Sequence, residues 1–177
     1  MNRRDSLKSL VFGSIGVGVL LEGCVSGVDN ETVANSLKKF NYGRTPKEKE
    51  YDKLLFSKKC FTNNQMTLIS KISNLILPPN EFGSINDAEV PELIEFMAKD
   101  IPSYESPLKE GLVALNQNSN EKFKKVFIDC DESQQKSILD LMAYPDPDLS
   151  SSEQSEEVKW FSLFRNLTMT GYYTSKV

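Results

Sequence analysis

Histidine is absent from all 177 residues. The commonest general base, the usual haem ligand and the commonest metal ligand are therefore missing. Any chemistry would have to run on Asp, Glu, Lys, Tyr or Cys. There is no G-x-G-x-x-G, no phosphate loop and no G-x-S-x-G, so nucleotide binding and serine hydrolysis lack support. Basic residues are in deficit, with a net charge of −4. A nucleic-acid binder would need a basic face to neutralise phosphates, so the charge argues against that class.

What is present is the composition of a soluble globular protein, 26% charged and 39% hydrophobic. The length suits one domain plus a targeting segment. The N-terminus carries the strongest signal. A basic start is followed by a modestly apolar, glycine-diluted run from Ser9 to Leu21. That is the pattern of a secretory signal, and the run is shorter than the roughly 20 apolar residues a bilayer span needs. Arg3, Arg4, Leu7 and Lys8 match the twin-arginine pattern R-R-x-x-L-K, with Ser6 where an aromatic residue often stands. Leu21-Glu22-Gly23-Cys24 resembles a lipobox, which would make Cys24 the lipidated first residue of the mature protein. We therefore expect a signal peptide over 1–23, a lipidated flexible tether over 24–45 and a helical domain over 46–177. The expected location is the periplasmic side, anchored to the membrane by lipid. Twin-arginine export carries folded proteins, often with a cofactor already inserted. This chain offers no evident cofactor site, which points to a partner that carries the cofactor and crosses with it.

Within the domain, Pro46 to Lys58 suits a short helix with Tyr51, Leu54 and Leu55 on one side. Thr62-Asn63-Asn64-Gln65 reads as a capping box ahead of an apolar stripe formed by Met66, Ile69, Ile72, Leu75 and Ile76. Pro78-Pro79 ends that helix, and 80–90 is a loop with a turn at Phe82-Gly83-Ser84. Pro91 opens the next helix, which uses Leu93, Ile94, Phe96 and Met97 and closes at Pro102. Another helix is expected to start near Pro107, followed by a short apolar turn at Phe123, Val126 and Phe127. Asp131 to Gln134 is a second cap, and Tyr144-Pro145-Asp146-Pro147 breaks the chain. The final helix is expected from about Ser152 to Thr170. Strand-like alternation is scarce, so the expected fold is an all-α, irregular helical bundle of about five to six helices.

Four groups of residues invite a functional reading. Cys60 and Cys130 could pair as a disulfide in an oxidising compartment or stay buried thiols. Without histidine they make a poor metal site. Asp146, Asp148, Ser150 and Glu157 fall on calcium-loop positions, but Ser151 stands where that loop needs glycine, which favours an ordinary loop before a helix. Glu89, Glu92 and Glu95 suit a solvated face near a helix start better than an acid–base pair. Trp160 and Phe161 are sequence neighbours and must point in different directions on one helix. One of them is therefore expected to face a partner, where aromatics are enriched.

Three segments carry a family resemblance: Leu75-Ile76-Leu77-Pro78-Pro79, Asn86-Asp87-Ala88-Glu89-Val90-Pro91-Glu92-Leu93-Ile94, and Phe164-Arg165-Asn166-Leu167-Thr168-Met169-Thr170-Gly171-Tyr172-Tyr173-Thr174-Ser175. In order and spacing they resemble the gluconate 2-dehydrogenase subunit 3 family, the small gamma subunit, over residues 62–175. Family members commonly run on past the Tyr-Tyr-Thr-Ser segment, so a chain ending at Val177 reads as a short or truncated member. The resemblance implies a non-catalytic small subunit with no cofactor of its own. Its implied partner is a large flavoprotein of the glucose–methanol–choline type that carries FAD and oxidises a sugar or sugar acid, with a cytochrome c subunit often taking the electrons onward. The small subunit would escort the folded flavoprotein through export. The residues expected at the partner interface are Pro78, Pro79, Val90, Pro91, Trp160, Phe161, Tyr172 and Tyr173. The competing reading is a stand-alone envelope lipoprotein that works as a binding module.

Overall fold

The computed structural model of the protein describes residues 45–175. The twin-arginine residues Arg3, Arg4, Leu7 and Lys8, and Cys24 of the lipobox, lie outside the described residues. Six α-helices follow one another: α1 (Pro46–Ser57), α2 (Asn63–Ile76), α3 (Val90–Asp100), α4 (Pro102–Phe123), α5 (Glu132–Ala143) and α6 (Glu156–Thr174). A short 3-10 turn, Phe127–Asp129, sits between α4 and α5. Among the described residues there is no strand, and no helix is long and apolar enough to cross a membrane. The architecture is the expected all-α irregular bundle.

The helix starts follow local chemistry. Thr45, Thr62 and Asp131 each accept a hydrogen bond from the backbone N–H three residues on. Glu48, Gln65 and Gln134 reach back to the cap N–H in return. Each reciprocal pair satisfies two donors that a helix start would otherwise leave unpaired. Ser155 caps α6 through the N–H of Val158, 3.3 Å away.

Three boundaries differ from the sequence reading. Pro102 does not merely close α3; it opens α4, and Ile101 alone serves as C-cap of the one and N-cap of the other. Pro107 lies inside α4. It removes one hydrogen bond, to the carbonyl of Ser103, but it is exposed and within two turns of the helix start, where water can reach the freed carbonyl. Helix α6 starts and ends four residues later than expected. Residues before it are held in a loop instead, where Gln154 bonds both the N–H and the carbonyl of Asp146. Gly171 does not stop α6, which continues to Thr174.

Helix α6 is the centre of the bundle and packs on α2, α3, α4 and α5. Its buried residues are Trp160, Phe161, Phe164, Leu167, Thr168 and Gly171. They meet Ile69 and Ile72 from α2, Val90 and Ile94 from α3, Leu108, Leu112 and Leu115 from α4, and Ile138 and Leu139 from α5 in one continuous core. Two close approaches depend on small residues. Gly111 of α4 lies under the Trp160 indole, so that a Cβ at this position would clash with the face of the ring. Between α2 and α6, the hydroxyls of Ser73 and Thr168 lie 3.3 Å apart with both residues buried. Thr168 donates to the Phe164 carbonyl at 3.0 Å, so Ser73 is the donor between the two hydroxyls. Helix α1 contributes little to this core. Leu55 is buried, but Tyr51 and Leu54, expected on the same covered side, are exposed.

Gly111→Ala makes a sharp test of this packing. At an exposed helix site the change would stabilise by about 1 kcal/mol through helix propensity. Here the clash with Trp160 reverses the sign, and we expect a net loss of about 2 kcal/mol, in the range for overpacked cores. Urea denaturation of the variant beside the parent protein decides the sign.

Candidate partner interface

The segment between α2 and α3 is built tightly. Asn80 and Gly83 exchange both backbone hydrogen bonds at 3.1 Å, closing a turn with Glu81 and Phe82 at its apex. Gly83 has φ 125°, a backbone conformation open to glycine and strained for other residues. The Asn80 side chain accepts from the Phe82 N–H at 2.8 Å. Next along the chain, the Asp87 carboxylate accepts from the N–H and hydroxyl of Ser84 at 2.8 and 2.6 Å. Those two bonds hold the Asp87 carboxyl below its ordinary value of 3.8, the Ser84 hydroxyl contributing most. Ser70 of α2 donates to Asn86 at 2.9 Å and ties the segment back to the bundle.

The end of α6 arrives at the same place. The Tyr172 hydroxyl donates to Asn80 Oδ1 at 2.9 Å and lies 3.3 Å from the Gly83 carbonyl. Its ring meets that of Tyr173 edge-on, with centroids 5.4 Å apart. One residue earlier, Gly171 faces the start of α3, where a Cβ would sit 2.8 Å from Leu93 Cδ2 and 3.2 Å from Val90 Cγ2. The three segments that carry the family resemblance thus converge on one end of the bundle, the tip.

The residues expected to face a partner divide into two groups. Pro78, Pro79 and Tyr173 are exposed at or beside the tip, and Tyr172 is partly exposed while it braces the tip. Val90, which faces Gly171 of α6, and Pro91 are buried. Trp160 and Phe161 are both buried as well, at 3% and 5% exposure, which corrects the expectation that one of them faces outward. Their directions do differ, with ring centroids 6.5 Å apart. However, α6 is covered over an arc wider than the 100° between neighbours, so both find cover within the chain. The sequence reading missed Phe82, which is 71% exposed. Its signal was a large apolar residue inside an Asn-Glu-Phe-Gly turn, where a polar residue is the norm.

Other candidates take structural roles. Glu95 accepts from the N–H groups of Cys60 and Phe61 at 3.0 and 3.4 Å and so holds the chain between α1 and α2. Cys60 and Cys130 are free thiols, one of the two states the sequence left open. Cys60 lies near Glu105 and Lys109 at the start of α4. Cys130 Sγ is 3.1 Å from Ser119 Oγ near the other end of that helix. Ten helical residues span about 15 Å, and a disulfide needs Cα atoms within about 7 Å. Burial pushes the Cys60 thiol up, with Lys109 and Lys99 pulling against it and Glu105 and Glu95 adding to it. It is a poor nucleophile in that state. Asp146 accepts from the Asp148 N–H at 2.9 Å and Ser150 pairs with Glu153, a folded loop rather than a calcium cage. Among the described residues no three His, Cys, Asp or Glu side chains are grouped to hold a metal ion.

Fold and tip together define a small helical domain that presents a braced turn and a helix end as its distinctive surface. A family model described as gluconate 2-dehydrogenase subunit 3 matches residues 63–177, and the chain belongs to that family. No curated protein matches the chain, and no solved structure does.

Two variants probe the tip. Tyr172→Phe should lower stability by about 1 kcal/mol, the usual worth of one hydrogen bond, whereas Tyr173→Phe should be neutral; urea midpoints give both. Asp87 is held below its ordinary value, so its stabilisation is present above pH 3.8 and is lost as pH falls through the lower folded value. Asp87→Asn should therefore melt earlier than the parent at pH 6 and lose less of its melting temperature between pH 4 and pH 2.5.

Proposed function

We propose that this chain is the non-catalytic small subunit of a periplasmic, flavin-dependent sugar or sugar-acid dehydrogenase. Catalysis belongs to a large FAD-carrying flavoprotein of the glucose–methanol–choline type, with a cytochrome c subunit as a further partner. The small subunit escorts the folded flavoprotein through export and then tethers it. Arg3 and Arg4 address the complex to the twin-arginine pathway, and lipid on Cys24 anchors it.

The observation that carries this reading is the family match over most of the helical domain. Two further features favour it. Glu95, one of the carboxylates that sequence alone nominates for acid–base work, is engaged in holding backbone. A folded-protein export signal on a chain of this kind is explained if the cofactor travels in a companion.

Fractionation of the native host tests the proposal. Replacing Arg3 and Arg4 together by Lys should shift dye-linked sugar dehydrogenase activity from the membrane to the cytoplasm by tenfold or more. Cys24→Ala should instead leave the activity exported but released from the membrane. Unchanged distribution of the activity in both variants would refute the escort and tether roles.

A further inference from the structure

The tip is both apolar and acidic. Phe82 is 71% exposed and Tyr173 is 68% exposed. Tyr172 links them: its ring meets Tyr173, and its hydroxyl bonds the turn that carries Phe82. The turn is held by the Asn80–Gly83 pair and the Asn80 side chain, so its backbone is fixed while the Phe82 ring stands in solvent. A preordered aromatic loses little entropy when it docks.

Among the described residues, the turn and the start of α3 are acidic. From residue 72 to residue 98 the chain has no Lys or Arg and carries Glu81, Asp87, Glu89, Glu92 and Glu95. Glu81 sits at the apex beside Phe82, and Glu92 is exposed in the first turn of α3. Helices α2 and α6 both end here, with no basic residue in either last turn. Their negative dipole ends add to the field, while the positive end of α3, which starts here, is met by Glu92 in its first turn. Lys176 lies outside the described residues.

We infer that the tip is the surface that docks the large subunit, and that the patch it meets on that subunit is a basic rim around an apolar pocket. Phe82 and Tyr173 enter the pocket, and Glu81 and Glu92 face the rim. This inference rests on the proposed function and deepens it. The charge argues against two other occupants. A second copy of this chain would set Glu81 and Glu92 against their own kind, and an anionic membrane would repel them.

The test uses the full chain, affinity-tagged in its own host and recovered from detergent-solubilised membranes. The readout is acid-released flavin per mole of tagged chain. Wild type is expected to carry about one flavin. Phe82→Ala with Tyr173→Ala, and separately Glu81→Lys with Glu92→Gln, should each retain a tenth of that or less while melting within a few degrees of the parent. Leu141→Ala with Tyr144→Ala is the control. Both are also exposed; Leu141 of α5 shares a surface hollow with Glu157 in the first turn of α6, Tyr144 caps α5 three residues on, and α6 has 19 residues, about 28 Å of helix. The control should retain flavin fully. Tip variants that keep flavin, or a control that loses as much, overturn the tip assignment and leave the proposed function standing. A wild-type chain that brings down no flavoprotein overturns the proposed function and this inference with it. Wild-type dimers that dissociate on Phe82→Ala with Tyr173→Ala, seen by sedimentation, would give the tip to a second copy instead.

Discussion

Four helices press on α6, and the bundle can satisfy all of them only by making the contacts unequal in depth. Packed helices sit about 8–10 Å apart, nearer where side chains are small. Trp160 is too large for an ordinary contact, so α4 yields with Gly111 beneath it. Farther along, α6 itself yields, with Gly171 against Val90 and Leu93. Between these points Ser73 and Thr168 bring α2 in through a hydrogen bond between short side chains. Large against small at one end and small against large at the other fixes both the tilt and the register of α6.

That register decides what happens at the tip. If α6 slid by one residue, Tyr172 would rotate by about 100° and its hydroxyl would leave Asn80. The turn at Asn80–Gly83 is locally closed, but its position relative to α6 rests on this long-range bond across 92 residues. The same four residues of α6, Gly171 to Thr174, thus serve the core through Gly171 and the surface through Tyr172 and Tyr173. The placing of Gly171 directly before Tyr172 has a plain physical consequence: the glycine lets the helix come close enough for the tyrosine to reach the turn.

What could be read from sequence was what short-range chemistry determines. The caps at Thr62 and Asp131 were legible because donor, acceptor and spacing all lie within four residues. The helical class was legible because apolar stripes repeat at helical spacing. What failed was whatever depends on neighbours far along the chain. Pro107 looked like a start because the tolerance of a helix for an exposed proline cannot be seen in a window. Trp160 and Phe161 seemed too divergent for one core because the number of helices around α6 was unknown. The cysteine pairing was open until α4 proved to be one continuous helix that keeps the two thiols apart. At the tip, the motif residues were found as a set, but which of them are buried braces and which are exposed depended on the same long-range packing.

Helix α1 lies outside the segment that matches the family, yet residues inside that segment hold it. Glu95 binds the N–H groups of Cys60 and Phe61, Lys99 donates to the Lys58 carbonyl at 3.0 Å, and Phe96 meets Phe56 with centroids 5.4 Å apart. All three grips come from α3, from its middle and its C-terminal half. The N-terminal turn of α3, by contrast, belongs to the tip through Val90 and Leu93. One rigid helix of 11 residues, about 16 Å long, therefore separates the attachment of the preceding chain from the tip.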